Sequence, residues 1–256
     1  MRRFLFTIAI FTCFCANAQR DTVRSKVYEW INQMVDKDSS SYRVQIAMGP
    51  TTNLDELEIH ATELDPGKSP YPPFSWTDQE ELIIVKEGNL KVTIKGNTKI
   101  IGPGGVALVL PGEQRFFENT GKALTTYYAL RFKSRTPANA ERGTQSGGSL
   151  IGDWDMWPLE ENEKGERRAV FDRFTALFQK MELHVTTLNE GQMSHNPHKH
   201  PQEEILLIRK GNAQVQIGEA LYKATAGDLI FFASGIRHNI KNAGKGQLEY
   251  FALQWQ

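Results

Sequence analysis

This sequence predicts an all-β protein, with two antiparallel barrels or sandwiches in tandem behind one short helix. Three observations carry that reading. The chain repeats itself at a nearly constant spacing, each copy consists of short β-rich runs broken by glycine, asparagine and proline, and helical periodicity is confined to one stretch ahead of the first copy. The chain divides accordingly into a leader (1–18), a helix (19–40), a first barrel (41–133), a linker (134–165) and a second barrel (166–256).

Arg2 and Arg3 open the chain, Phe4 to Cys15 form an apolar run, and Ala16-Asn17-Ala18 offers small residues for cleavage, which is the pattern of a secretory leader. That run of 12 residues is short of the roughly 18 to 20 that a membrane-crossing helix needs. No stable membrane anchor is expected, and Ile10-Phe11-Thr12 ahead of Cys13 lacks the small residues of a lipoprotein signal. The expectation is an exported protein, periplasmic or secreted. Both cysteines, Cys13 and Cys15, fall in the leader, so the processed chain would have neither a disulfide nor a thiolate metal ligand. Cleavage after Ala18 removes two arginines from a chain of zero net charge. No basic field for nucleic acid remains.

Val23, Val27, Trp30, Ile31, Met34 and Val35 keep helical spacing, predicting an amphipathic helix over 22–38 that packs on the barrels. In the first copy, Leu57 to Gly67 matches Met181 to Gly191 at an offset of 124; from Glu80-Glu81 onward the offset is 123, pairing them with Glu203-Glu204. Asn119-Thr120-Gly121-Lys122 likewise falls on Asn242-Ala243-Gly244-Lys245. Strands such as Leu90 to Ile94 end at Gly96-Asn97, and Val215 to Ile217 ends at Gly218-Glu219, as antiparallel β-structure requires. Lys133 to Gly148 is rich in small and polar residues and reads as a solvated linker, with Trp154, Met156 and Trp157 behind it expected to clamp the barrels together.

Chemistry concentrates in the second copy. His198, His200 and Glu204 share parity, so on one strand they would point to one face, and His238 follows the turn Ser234-Gly235 where it can converge from another strand. Imidazole nitrogens with one carboxylate oxygen suit manganese, iron, nickel, copper or zinc, so one divalent metal per chain is expected. Glu203, off that parity, should point away. His195 stands outside the pattern and reads as loop surface, while His60 and His184 repeat each other and read as structural. At the offset of 123 the first copy has Ser75, Thr77, Glu81 and Arg115 at the corresponding positions. Hydroxyls are poor ligands for such metals and a fixed guanidinium would repel the ion, so the first barrel is expected to hold no metal.

The arrangement resembles the two motifs of the cupin superfamily, G-x5-H-x-H-x3-4-E-x6-G and G-x5-P-x-G-x2-H-x3-N. His198, His200, Glu204 and Gly211 fit the first, though six residues instead of five separate Gly191 from His198. Gly227, Gly235, His238 and Asn242 fit the second, with Ala233 in place of its proline. The resemblance implies a jelly-roll barrel in each copy and a metal inside the second, hence a bicupin.

Three functions fit these residues. One is a metal-dependent enzyme, an isomerase, lyase or hydrolase, acting on a small oxygen-bearing molecule such as a carbohydrate or organic acid. The second is an iron or copper dioxygenase. The third is a non-catalytic module that binds a small ligand. An enzyme should add an acid or base to the metal cavity, and His184, Tyr222 and Gln254 are the candidates. A small molecule is the expected partner, and a homo-oligomer is compatible with the reading.

Overall fold

The computed structural model describes residues 21–30, 34–37 and 41–256. The leader lies outside the described residues. In chain order the strands are β1 (Lys26–Tyr28), β2 (Met34–Lys37), β3 (Ser41–Gly49), β4 (Leu54–Leu64), β5 (Gln79–Glu87), β6 (Leu90–Ile94), β7 (Asn97–Ile101), β8 (Val106–Val109), β9 (Arg115–Asn119) and β10 (Thr125–Ser134). A single α-helix among the described residues, α1 (Ala140–Gln145), and β11 (Leu150–Gly152) lead to β12 (Leu159–Asn162) and β13 (Gly165–Arg173). The second copy continues with β14 (Met181–Leu188), β15 (Glu203–Lys210), β16 (Asn212–Ile217), β17 (Ala220–Thr225), β18 (Leu229–Phe232), β19 (His238–Asn242) and β20 (Leu248–Trp255).

Each copy pairs a seven-stranded sheet with a three-stranded one. The large sheets run β11-β8-β5-β10-β4-β3-β2 and β1-β18-β15-β20-β14-β13-β12, and the small ones β7-β6-β9 and β17-β16-β19. Strand alternation explains why one sheet can serve two cores. On β14, Met181, Leu183 and Val185 enter the core between the barrels, and the intervening Glu182, His184 and Thr186 face the second barrel's lumen or rim. The shared core joins Leu57, Ile59 and Phe132 of the first large sheet to Leu183, Leu253 and Trp255 of the second, with Phe132 5.3 Å from Trp255 between ring centres. Within the first lumen Leu90, Val92 and Ile94 alternate with half-exposed Lys91 and Thr93, and the β6–β7 turn uses positive φ at Lys95 (51°) and Gly96 (80°), the two-residue geometry that suits sheet twist.

Two sequence expectations fail here. The amphipathic helix over 22–38 is replaced by β1 and β2, and the solvated linker contains α1, β11 and β12. The cause is exchange between the copies. β1, which precedes the first barrel, pairs with β18 of the second, and β11, which precedes the second barrel, pairs with β8 of the first. Each arm satisfies the open backbone groups of an edge strand. The two arms are themselves repeats at the offset of 124. Ser25 Oγ accepts from Ala233 N at 2.8 Å and Ser149 Oγ from Leu110 N at 2.9 Å, and Trp30 and Trp154 lie against Gly227 and Gly104. Of the expected clamp, Trp157 is buried in the shared core and Trp154 stacks under Arg209, whereas Met156 is exposed.

Carboxylates lock the barrels reciprocally. Glu203, facing away from the metal-ligand candidates as its parity predicts, accepts from Thr51 Oγ at 2.6 Å and Thr52 N at 2.9 Å. Its repeat partner Glu80 accepts from Leu177 N at 2.9 Å in the other barrel's loop. Gly152 tests the arm's packing: a Cβ there would overlap the Trp157 ring, whose Nε1 donates to Gly104 O at 3.3 Å. Gly152→Ala is therefore expected to cost about 1–3 kcal/mol by overpacking, read by urea denaturation. An unchanged midpoint would show that Trp157 shifts freely.

Candidate metal centre

The second lumen gathers the four predicted residues around His238. Glu204 enters from β15 between Phe232 of β18 and Gln254 of β20, and His238 opens β19. His198 is held to His238 by two backbone hydrogen bonds, His198 N to His238 O at 3.2 Å and the reverse at 2.9 Å, and His200 O accepts from Gly235 N in the turn that predicted this convergence. Donor atoms of His200, Glu204 and His238 lie within 4.8 Å of one another, and so do those of His195, His198 and His238. His198 and His238 ring centres are 4.9 Å apart, and those of His200 and His238 4.8 Å.

The imidazoles are oriented by their far nitrogens. His238 Nδ1 is 2.9 Å from Ile236 O and His200 Nδ1 3.0 Å from Gln202 O. A carbonyl beside Nδ1 can take its proton when a metal binds, which would free Nε2 on the Glu204 side to ligate, the outer-shell arrangement common to metal-bound histidines. His238 Nε2 is 3.0 Å from Glu204 Oε2, and His200 Nε2, buried and without a hydrogen bond, stands 3.4 Å from the same oxygen. A buried donor atom left unpaired is the mark of a missing partner, so the residues fit a divalent cation. Burial raises the Glu204 carboxyl, but His200 and His238 beside it outweigh that and hold it at about 2. Phe232 stacks on His238 at 4.3 Å and fixes the ring plane.

Above the cluster lies a cavity of about 530 Å³. His184 and Gln254, both expected there, line it. Tyr222 does not. It lies on β17 with 43 % of its surface exposed, because its strand's outer face turns from the lumen. His195 is a second correction: far from being loop surface, it lines the cavity with its ring centre 3.9 Å from that of His198. Residues that sequence reasoning missed complete the wall. Arg167 and Lys164 stand at the rim, and Tyr250, whose phenol burial pushes above its ordinary value, lies within. Arg167 Nη2 meets Glu182 Oε1 at 3.0 Å, and the same oxygen lies 3.1 Å from His184 Nδ1. The repeat could have disclosed this set, because Arg43, Glu58 and His60 hold the equivalent contacts in the first barrel.

In the first lumen the expected positions shift by one. Phe74 exchanges both backbone hydrogen bonds with Arg115 as His198 does with His238, and Trp76 O accepts from Gly112 N as His200 O does from Gly235 N. Phe74 and Trp76, not the exposed Ser75 and Thr77, therefore correspond to the two histidines. The reason is one extra residue between Trp76 and Glu81 relative to His200 and Glu204, so the offset changes after the paired histidines and not before them. Glu81 and Arg115 do meet: Arg115 Nε donates to Glu81 Oε2, and Arg131, standing opposite Glu81 as Gln254 stands opposite Glu204, donates to Oε1 at 2.7 Å. Arg131 Nη1 continues to Glu58 Oε2 at 3.1 Å.

Residues 184–253 match the Cupin domain family, and residues 68–190 the AraC-like ligand binding domain family. No curated protein matches the chain. Among solved structures, protein Ylba from E. coli superposes with a TM-score of 0.69 at 14% identity, covering 90% of each chain. Oxalate decarboxylase from Lactobacillus farciminis, in a formate complex, gives 0.68 at 14% identity, over 92% of this chain and 87% of its own. Bacillus subtilis oxalate decarboxylase, with Mn(II) centres, gives 0.67 at 15% identity over 98% and 85%. At such identities these likenesses speak for the fold.

Proposed function

We propose that this chain, which matches the Cupin domain family over residues 184–253 and shares the fold of tandem cupin-type barrels, is an exported, metal-dependent enzyme acting on a small organic acid or carbohydrate in its second barrel. The observation that carries this is the pair of three-donor clusters, His200-Glu204-His238 and His195-His198-His238, that share His238 beside a cavity of about 530 Å³ lined by His198, Glu204 and His238. These four residues would hold the ion. Bound there, it would supply Lewis-acid polarisation of a substrate oxygen.

The remaining wall does the positioning. Arg167 and Lys164 at the rim, bonded to Glu182 and to Ser194 O and standing beside Glu163 and Glu166, are donors a substrate oxygen could recruit, and Gln254 and Asn239 offer neutral hydrogen bonds suited to hydroxyl or carbonyl oxygens. His184, beside Glu182, is a group able to hold or move a proton. Leu206, Ile240 and Ala252 restrict water beside Glu204. The leader pattern supports export, and no described helix is long and apolar enough to cross a membrane.

Purified processed protein is expected to retain about one metal per chain by elemental analysis, because the equivalent first-barrel positions are Phe74, Trp76, Glu81 and Arg115. His198→Ala combined with His238→Ala should remove it. Two equivalents per chain would refute a single centre, and none would refute the metal reading. Loaded protein should consume a member of a panel of di- and hydroxycarboxylates and sugars, followed by NMR, while the double variant does not. A fully loaded protein that binds panel members and turns over none would be a binding module.

A further inference from the structure

We propose that His195 is a fifth donor of the metal centre, making it a four-imidazole, one-carboxylate set that favours copper or nickel over manganese. The proposal rests on the metal reading above and goes beyond the four-residue motif. Three observations carry it.

The first is placement. Met193 pairs with Lys241 and His198 with His238, so the segment between them is strapped to β19 at both ends. Four residues lie between Met193 and His198 and only two between His238 and Lys241, so the segment must bulge, and it bulges with His195 turned into the cavity. Donor nitrogens of His195, His198 and His238 come within 4.8 Å of one another.

The second is orientation. His195 Nδ1 is 3.0 Å from Asn196 O, the same far-nitrogen contact to a backbone carbonyl that His200 and His238 make. A carbonyl that takes the Nδ1 proton leaves Nε2 free to ligate. Three histidines of different strands and loops are thus prepared alike.

The third is the sister barrel, which serves as an internal comparison. Its lumen holds a cation of its own, the Arg115 guanidinium. Around it stand Phe74 at 3.9 Å, Trp76 at 5.6 Å and Tyr71 at 5.8 Å from ring centre to guanidinium carbon, with Glu81 hydrogen-bonded. Under the structural alignment Phe74 is His198, Trp76 is His200 and Glu81 is Glu204. Tyr71, at the offset of 124 that also relates Phe74 to His198, is His195. All four positions face the cation where the cation is visible. In one barrel Tyr71, Phe74 and Trp76 offer π-faces to a guanidinium that Glu81 pairs, and in the other the three aromatic positions are imidazoles while the carboxylate is kept. The position of His195 therefore changes chemistry together with the ligand positions.

The preference for copper or nickel follows from donor type, since imidazole suits late first-row ions and affinity rises along the series toward copper. The test compares the processed parent with His195→Ala and with His195→Tyr, the latter keeping a ring of the kind the sister barrel uses. Titration with Cu(II) and Ni(II) by competition against a chelator should show at least about a 10-fold weaker affinity in both variants. Nitrogen hyperfine structure in the Cu(II) EPR spectrum should fall from four nitrogens to three. Thermal unfolding of the apoproteins guards against misfolding, and His195→Tyr keeps the question answerable should His195→Ala fail to fold. Unchanged affinity and an unchanged nitrogen count in a folded variant would overturn the proposal while leaving the four-residue centre standing. A parent that takes up Mn(II) or Zn(II) but neither Cu(II) nor Ni(II) would overturn the stated preference, and one that takes up none of the four would instead defeat the metal reading itself.

Discussion

Arg115→Ala is expected to destabilise the protein by about 3 to 5 kcal/mol, the range for stripping one partner from a buried ion pair. Both Arg115 and Glu81 have 1 % of their side-chain surface exposed, so neither solvent nor salt can replace the lost contact. Burial raises the Glu81 carboxyl, and Arg131 and Arg115 outweigh it and keep it below its ordinary value, so the charge stays when Arg115 goes. Arg131 would remain at 2.7 Å from Oε1, which places the loss toward the lower end of the range. The missing guanidinium also leaves Phe74 and Trp76 facing a void. Glu81→Gln should cost less alone, and the double variant less than the sum of the two, with a coupling of at least about 1 kcal/mol in a urea denaturation cycle. Additive losses would show that Arg115 and Glu81 do not act as a pair. Metal retention in the second barrel should be unaffected throughout, since the tetrad makes none of these contacts.

The tandem barrels were legible because matching segments such as Leu57 to Gly67 and Met181 to Gly191 carry the same pattern of inward and outward residues. The candidate ligands were legible from shared parity and the turn at Ser234-Gly235, yet only Glu204 lies on β15; His198 and His200 precede it in a loop, and the backbone pairing of His198 with His238 and of His200 with Gly235 draws them together. The degenerate site falls one residue away from Ser75 and Thr77 because the offset of 123 holds only from Glu80-Glu81 onward, while 124 still relates Phe74 and Trp76 to the two histidines. Only the backbone pairing of Phe74 with Arg115 locates the insertion. Helical spacing of Val23, Val27 and Trp30 misled, because an arm of three paired residues is too short to display strand alternation, and its partner is 200 residues away in another domain. The readable signal was Ser25 and Trp30 recurring as Ser149 and Trp154. His195 escaped because it lies in the loop between β14 and β15, where no strand alternation marks which side chains turn inward.

The stability that Glu80 contributes should fall as pH rises from about 4.5 to about 7, and Glu80→Gln should remove that part of the pH dependence. Glu80 is fully buried, and one of its oxygens has no hydrogen bond. Burial pushes its carboxyl up to about 7 from an ordinary 4.5; the amide of Leu177 and the charge of Arg173 only partly oppose this. Between those values the folded chain holds a proton that the unfolded chain has released, so folding is favoured by acid and loses that advantage as pH passes through 7. At about 1.4 kcal/mol per pH unit, the difference amounts to about 3 kcal/mol. His60 works in the opposite sense. Burial, then Arg131 and Arg43, lower it from 6.5 to about 2, so its contribution is full above 6.5 and shrinks as the solution is acidified. The parent curve therefore mixes two slopes, and the difference between parent and Glu80→Gln isolates one of them. Urea denaturation at pH 5 and pH 8 should show the variant losing ground to the parent at pH 5 and gaining at pH 8, with the gap changing by about 2 to 3 kcal/mol. Glu203→Gln should weaken the inter-barrel lock through the hydrogen bonds that both Glu203 oxygens accept from the Thr51 loop, and because burial raises this carboxyl too, its pH dependence should have the same sign. A Glu80→Gln difference that stays constant across this range would mean that Glu80 is ionised in the folded protein, and that the reciprocal lock is carried by two carboxylates in the same charge state.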